Sequence, residues 1–274
     1  MQTSPGATVI ARPYNPNKAV FIIGVLFFTF GFVTWLNGTL IPFLKLACQL
    51  ETDIQAFFVT FAFYMAYFFL AIPSSFILKR TGFKSGMALG LLVMAIGSLV
   101  FILAASVRSF ALFLTGLFIQ GMGLALLQTA SNPYISILGP IESAAQRISI
   151  MGICNKVAGA ISPLILGAIV LKGAGELELK INATHDAAQK KILLDELSAR
   201  VITPYIIIAI ILFLLAVVIQ RSALPDIKPE ENQDRQGKAE TKTSIFQYPH
   251  LLLGVLCIFL YVGVEVMVGD AIGI

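Results

Sequence analysis

Seven polar or charged side chains interrupt the long apolar stretches of this sequence, and they are the first candidates for chemistry. A polar group in apolar surroundings costs free energy unless it is hydrogen-bonded, paired with a charge or placed at a cavity. Each of them therefore predicts either a binding role or a packing role. The seven are Asn37, Gln128, Asn132, Asn155, Lys156, Glu265 and Asp270.

Gln128 and Asn132 are four residues apart and therefore lie on one stripe of a helix. Pro133 follows directly and frees a backbone carbonyl one turn earlier. Amides beside a free carbonyl suit a substrate that is rich in hydroxyl groups. The alternative is that both amides only tie neighbouring helices together.

Lys156 and Glu265 form the most informative pair of charges. Counted along their helices, they differ in depth by about 9 Å, which two long side chains can bridge. A pair that closes in one conformation and opens in another can gate or couple transport, whereas a permanent pair is structural. Asp270, near the end of the last apolar segment, is the third candidate for ion coupling, or is simply solvated.

Trp35 is the only tryptophan, and it lies deep in the first apolar segment. Its ring can stack on the apolar face of a sugar, or it can pack as an ordinary core residue. Tyr261 shares a helical stripe with Glu265 and is assigned to the substrate with Trp35. Asn37 faces away from the Trp35 stripe and is interpreted as structural, as is Arg147.

The composition excludes an ordinary soluble protein. The 274 residues are 57% hydrophobic and only 12% charged, with a mean hydropathy of +0.87, whereas globular proteins carry about a quarter charged residues. The net charge of +4 is too dispersed to indicate nucleic acid as a partner. The solvent of most side chains is therefore a lipid bilayer.

Seven segments approach the length of about 20 residues that a membrane-spanning helix needs. The predicted fold is an all-α membrane protein. An interfacial helix is expected within 172–200. The predicted spans are 20–44, 55–78, 85–106, 110–139, 147–171, 201–220 and 250–272.

The segments predict four regions. Residues 1–19 form a cytoplasmic tail, 20–220 a six-helix bundle, 221–249 a charged cytoplasmic linker, and 250–274 a seventh helix that begins a second half. Lys and Arg in the short loops favour an inside N-terminus, since Lys79, Arg80 and Lys84 then face the cytoplasm. Because no polar tail follows the last span, the chain is expected to be incomplete. The alternative is a complete seven-helix receptor or scaffold that moves no solute.

Several runs together resemble the sugar symporters of the major facilitator superfamily, especially the glucose/galactose transporter and fucose permease group. The resemblance covers nearly the whole chain. The runs are 36–42 (LNGTLIP), 128–134 (QTASNPY), 138–140 (LGP), Arg147, and 261–265 (YVGVE).

The resemblance implies twelve helices in two halves, alternating access, and uptake of a hexose with H⁺ or Na⁺, without another cofactor or enzymatic activity. It also implies a monomer in the bacterial inner membrane. In the fucose permease, carboxylates in helices one and four act in sugar recognition and proton coupling. The matching positions here are Gly38 and Gln128, which do not titrate, so that proton mechanism does not transfer to this chain.

Overall fold

The computed structural model describes residues 16–184, 186–225, 227 and 248–271, without the side chains of residues 16, 17, 37, 53, 270 and 271. All regular elements in these ranges are helical. Besides a short 3₁₀ turn at Ile141–Ser143, they are α1 (Pro16–Trp35), α2 (Asn37–Ala47), α3 (Asp53–Val107), α4 (Phe110–Ile137), α5 (Ala144–Val170), α6 (Ala174–Ala183), α7 (Ala187–Ala199), α8 (Ile202–Arg221) and α9 (Pro249–Ala271).

Six apolar helical runs in the described residues are long enough to cross a membrane, and one of them, Ile54–Val107, spans 54 residues. At 1.5 Å per residue that run greatly exceeds the roughly 30 Å of a bilayer core, so it supplies two crossings. The seven predicted spans are therefore present. Instead of one uninterrupted first helix, the structure has α1 and α2, which meet at Leu36 within the run Lys18–Ala47.

The turn between the second and third crossings is shorter than the sequence predicted. Helix α3 begins with a capping box of Thr52 and Gln55, and its one non-helical residue is Gly82, with φ 79° and ψ 168°. A side chain at these angles would be strained, and glycine adopts them freely. The expected loop at 79–84 thus reduces to a single glycine, because that residue alone redirects the chain.

Helices α3 and α4 pack at very short range in the centre of the bundle. A Cβ atom built on Gly123 of α4 would lie 2.5 Å from the carbonyl oxygen of Gly90 in α3. Elsewhere along the same two helices, Gln120 of α4 donates a 2.7 Å hydrogen bond to the hydroxyl of Ser98 in α3. Small residues let the backbones touch, and a buried amide adds a polar tie, as is typical of helices packed in lipid.

The segment expected to hold one interfacial helix contains two, α6 and α7. Helix α7 packs against α2, α3 and α8. Its Asp195 pairs with Arg108 at 2.6 Å, and Arg108 is the left-handed residue that ends α3. The segment therefore packs against the spanning helices through α7.

The first residues of the predicted linker are held by the bundle. Lys84 donates a 2.7 Å hydrogen bond to the carbonyl oxygen of Ser222, and the Tyr134 hydroxyl donates at 2.9 Å to that of Pro225. The backbone N–H of Phe83 donates to Ile227. Residues 228–247, most of the predicted linker, lie outside the described residues, as do residues 1–15 of the predicted tail.

Candidate functional site

The ammonium of Lys156 in α5 forms an ion pair with the carboxylate of Glu265 in α9. The Lys156 side chain is 51% exposed and that of Glu265 is 20% exposed. The two residues come from the six-helix bundle and from the seventh helix, so the pair joins the two regions that the sequence separates. The two side chains therefore reach each other, as counting residues along their helices predicted.

Two aromatic rings border the same ammonium. Its nitrogen lies 5.3 Å from the ring centroid of Trp35 and 5.7 Å from that of Tyr261. Both distances fall within the range of cation–π attraction, about 6 Å. Tyr261 and Glu265 are one turn apart in α9, so the spacing of the helix presents them together. We call Trp35, Lys156, Tyr261 and Glu265 the cationic cluster.

The indole of Trp35 is held between two glycines. A Cβ atom on Gly159 of α5 would lie 2.5 Å from Cδ1 of the ring, and one on Gly269 of α9 would lie 2.6 Å from Cζ3. The missing side chains thus let α5 and α9 close on the ring. In this arrangement Trp35 packs between helices while facing the Lys156 ammonium, and its stacking on a sugar stays a prediction.

Gln128 and Asn132 line a separate cavity of about 310 Å³, which we call the amide cavity. Its wall also includes Tyr67 and Ala71 of α3 and Pro133 of α4, but none of the cationic cluster. Asn132 is exposed and Gln128 is half-buried. The structure therefore places the predicted sugar ligands in two groups, amides in one and aromatic rings with charges in the other.

Tyr67 is a cavity residue that the sequence reasoning missed. Its ring stacks on that of Tyr64, with centroids 5.9 Å apart and an interplanar angle of 30°. Two tyrosines three residues apart in an otherwise apolar segment were the available signal, because a phenol group in lipid-depth surroundings needs a polar partner. Tyr67 joins Gln128 and Asn132 as a candidate ligand for hydroxyl groups.

Arg147 closes the end of α4. Its guanidinium donates to the carbonyl oxygens of Ile135 at 3.1 Å, Ser136 at 2.9 Å and Pro140 at 3.0 Å, and to the Ser143 hydroxyl at 2.6 Å. The last carbonyls of a helix lack intrahelical partners, and a cation there also complements the helix dipole. Arg147 therefore connects α4 to the start of α5.

Two predicted residues have no described side chain. Asn37 begins α2 and Asp270 lies in the last turn of α9, but their side chains are outside the described part of the structure. The structural role of Asn37 and the ion-coupling role of Asp270 stay predictions.

The sequence matches the Major Facilitator Superfamily over residues 23–269. It is 36% identical to a glucose/galactose transporter of Brucella abortus biovar 1 (strain 9-941), over 97% of this chain and 60% of that protein. It is 32% identical to the L-fucose-proton symporter of Escherichia coli (strain K12), over 88% of this chain and 55% of that protein.

A crystal structure of the transporter FucP in the outward conformation superposes with a TM-score of 0.67 and 28% identity, over 80% of this chain and 56% of that chain. The resemblance drawn from the sequence motifs and the all-α fold are therefore confirmed: six helices form a first bundle, and the seventh begins a second half. The chain spans about 60% of the length of the curated glucose/galactose transporters of Brucella abortus that it matches.

Proposed function

The chain belongs to the Major Facilitator Superfamily, and on that premise we propose that the complete protein takes up a hexose by cation-coupled symport. Relatives named as a glucose/galactose transporter and an L-fucose-proton symporter support a sugar substrate. The family consists of transporters rather than enzymes. A receptor or scaffold, the alternative considered from the sequence, is not favoured by these relatives.

The observation that carries the proposal is the ion pair between Lys156 and Glu265. Alternating access moves two halves of a transporter against each other around a site near the bilayer midplane. A charge pair across that division costs free energy when it opens, because each charge loses its partner. Neutralising or replacing one partner lowers this cost, which ties the movement to an ion.

In the proposed site, Gln128 and Asn132 bind sugar hydroxyls, since each amide offers two donors and an acceptor with two lone pairs. Trp35 and Tyr261 supply apolar faces for the ring. Glu265, Lys156 and Asp270 respond to the coupling ion, which is H⁺ or Na⁺. As the halves move, the amide cavity and the cationic cluster border one substrate path.

We place the protein in the bacterial inner membrane, as a monomer with a cytoplasmic N-terminus. The supporting observations are the multi-pass helical architecture and the basic residues near Gly82 at the turn of α3, since Lys79 and Arg80 are exposed there. Loops rich in Lys and Arg stay on the cytoplasmic side.

The test is uptake by the complete gene product in proteoliposomes that carry sodium and proton gradients. Labelled glucose, galactose, fucose and N-acetylglucosamine are supplied in turn, with empty liposomes as the blank. We expect one of them to accumulate above its external concentration, and accumulation to stop when an ionophore dissipates the gradients. Failure of every hexose to accumulate, with correctly folded protein in the liposomes, would overturn the proposal.

Two amide variants test the substrate site. Gln128→Ala and Asn132→Ala should each raise KM for the accumulated sugar about three- to tenfold, since a lost neutral hydrogen bond costs about 0.5–1.5 kcal/mol. Gln189→Ala is the matched control, because Gln189 is an exposed amide on α7, away from the cavity. An unchanged KM in both cavity variants would remove the amides from the proposed site.

A further inference from the structure

The surroundings of the Lys156 ammonium are those of a site for a free monovalent cation. The Glu265 carboxylate pairs with it, and the Trp35 and Tyr261 rings approach it to 5.3 and 5.7 Å. Ring faces and a carboxylate both carry negative potential, and together they attract ammonium groups and alkali ions. The three groups come from α1 and α9, whereas the cation comes from α5.

We call the Glu265 carboxylate and the rings of Trp35 and Tyr261 the cage, and two glycines lie against its Trp35 ring. Gly159 and Gly269 let α5 and α9 lie directly against the ring. Contacts with two helices favour one position of the ring, and a ring that is already positioned costs less free energy when it binds a cation. The shape of the cage therefore depends on residues of α1, α5 and α9 and not on Lys156 alone.

We propose that Glu265, Trp35 and Tyr261 form a monovalent-cation site whose resident occupant is the tethered ammonium of Lys156. This inference rests on the proposed transport function and deepens it by describing the coupling site. With the ammonium in place, the formal charges of Lys156 and Glu265 cancel. A sodium ion entering beside it would add an uncompensated positive charge next to the ammonium, and the repulsion between the two cations excludes it.

The exposure of the two charged side chains fits a removable occupant. Lys156 is 51% exposed, whereas Glu265 is 20% exposed. The carboxylate is thus the more buried partner. The ammonium can move away from it because the lysine side chain is flexible. Removal of the lysine should leave a vacant cage with one negative charge, which small cations in solution can fill.

The experiment uses the complete protein in proteoliposomes, as wild type, Lys156→Ala and Lys156→Met. Uptake of the accumulated hexose is measured in sodium, potassium, methylammonium, ethylammonium or N-methylglucamine salts at one pH. We expect wild-type uptake to vary by less than about twofold between the salts. In N-methylglucamine salts, hexose uptake by both variants should be at least about tenfold below that of wild type, because an ion pair and two cation–π contacts are gone. Methylammonium, ethylammonium or sodium should restore uptake by occupying the cage.

Lys191→Ala is the matched control, since Lys191 is exposed on α7 and lies outside the cluster. It should behave as wild type in every salt. Lys156→Arg, which keeps a tethered cation, should stay independent of sodium. Wild-type uptake that requires sodium would overturn the inference, and so would variants that fold and that no small cation restores.

A second measurement does not depend on transport. Methylammonium chloride is titrated into purified Lys156→Met while the fluorescence of Trp35 is followed, with the same titration of Lys156→Met/Trp35→Phe subtracted. A saturable change in the variant but not in wild type supports the cage. No change in either contradicts it, even where hexose uptake is intact; if no hexose is transported but the titration saturates, the transport proposal fails and the cage stands.

Discussion

Gly269 of α9 lies against the indole of Trp35 in α1, so closely that a Cβ atom on residue 269 would stand 2.6 Å from Cζ3 of the ring. The same glycine presents its carbonyl oxygen 3.4 Å from the position of a Cβ on Gly38. The first helix of the second half thus touches the first helices of the bundle through backbone and one ring. This contact depends on the absence of a side chain.

Gly269→Ala should reduce the initial rate of hexose uptake at least about fivefold, because overpacking a tight contact costs about 1–3 kcal/mol. Transport assays of the complete protein measure the effect. Gly254→Ala is the matched control on the same helix, since a Cβ there meets no described atom within 4 Å. Equal rates for the two variants would show that the Trp35 contact plays no part in transport.

Glu265→Gln should abolish accumulation of hexose against its gradient while leaving downhill exchange measurable. The substitution keeps the size of the side chain but leaves Lys156 without its counter-charge, so movement of the two halves no longer depends on a cation that neutralises residue 265. The accumulation ratio in proteoliposomes should fall to about one, the value for equilibration without coupling. Glu178→Gln, on the exposed face of α6, should accumulate normally. Concentrative uptake by Glu265→Gln would rule out the coupling role.

Arg147→Ala should lower the thermal stability of the purified protein. The guanidinium satisfies three carbonyl oxygens and one hydroxyl at the junction of α4 and α5, and a hydrogen bond to a charged group contributes about 1.5–3 kcal/mol net. Arg147→Lys should recover little, since an ammonium does not reproduce the planar fork. Arg80→Ala, an exposed position, is the control. Melting curves that overlay for all three variants would contradict this account.

Cys48 should react slowly with alkylating reagents at neutral pH. Burial raises the pKa of this thiol to about 11, against a smaller lowering by Arg108. The thiolate is the reactive form, so raising the pKa from its ordinary value of 9.0 reduces the reactive fraction about a hundredfold. Iodoacetamide labelling of a protein with Cys48 as its only cysteine measures the rate, which should rise about tenfold per pH unit between 7 and 10. Glu51→Cys without Cys48 is the exposed control, and equal labelling rates at pH 7.4 would contradict the burial effect.

The composition and the apolar segments were sufficient to predict that most side chains face lipid and that the fold is all-α. A chain with 12% charged residues lacks the polar surface that a soluble protein needs. A single apolar segment of spanning length satisfies its own backbone hydrogen bonds in lipid only as a helix. The residues of interest also followed from the sequence, because ionisable groups are rare in spans and each one stands out. The pairing of Lys156 with Glu265 was within reach of simple counting along two helices.

Only the tertiary structure shows how each helix is rotated about its axis and how closely it approaches its neighbours. Whether the Trp35 ring faces a sugar or two glycines depends on residues 159 and 269. These residues lie far from Trp35 in the chain, and their local sequence does not indicate the contact. The same holds for Tyr67, which reaches the amide cavity only because α3 packs on α4, and for the single-residue turn at Gly82. Local sequence specifies which segments enter the membrane, whereas short-range packing between distant segments determines which side chains meet inside it.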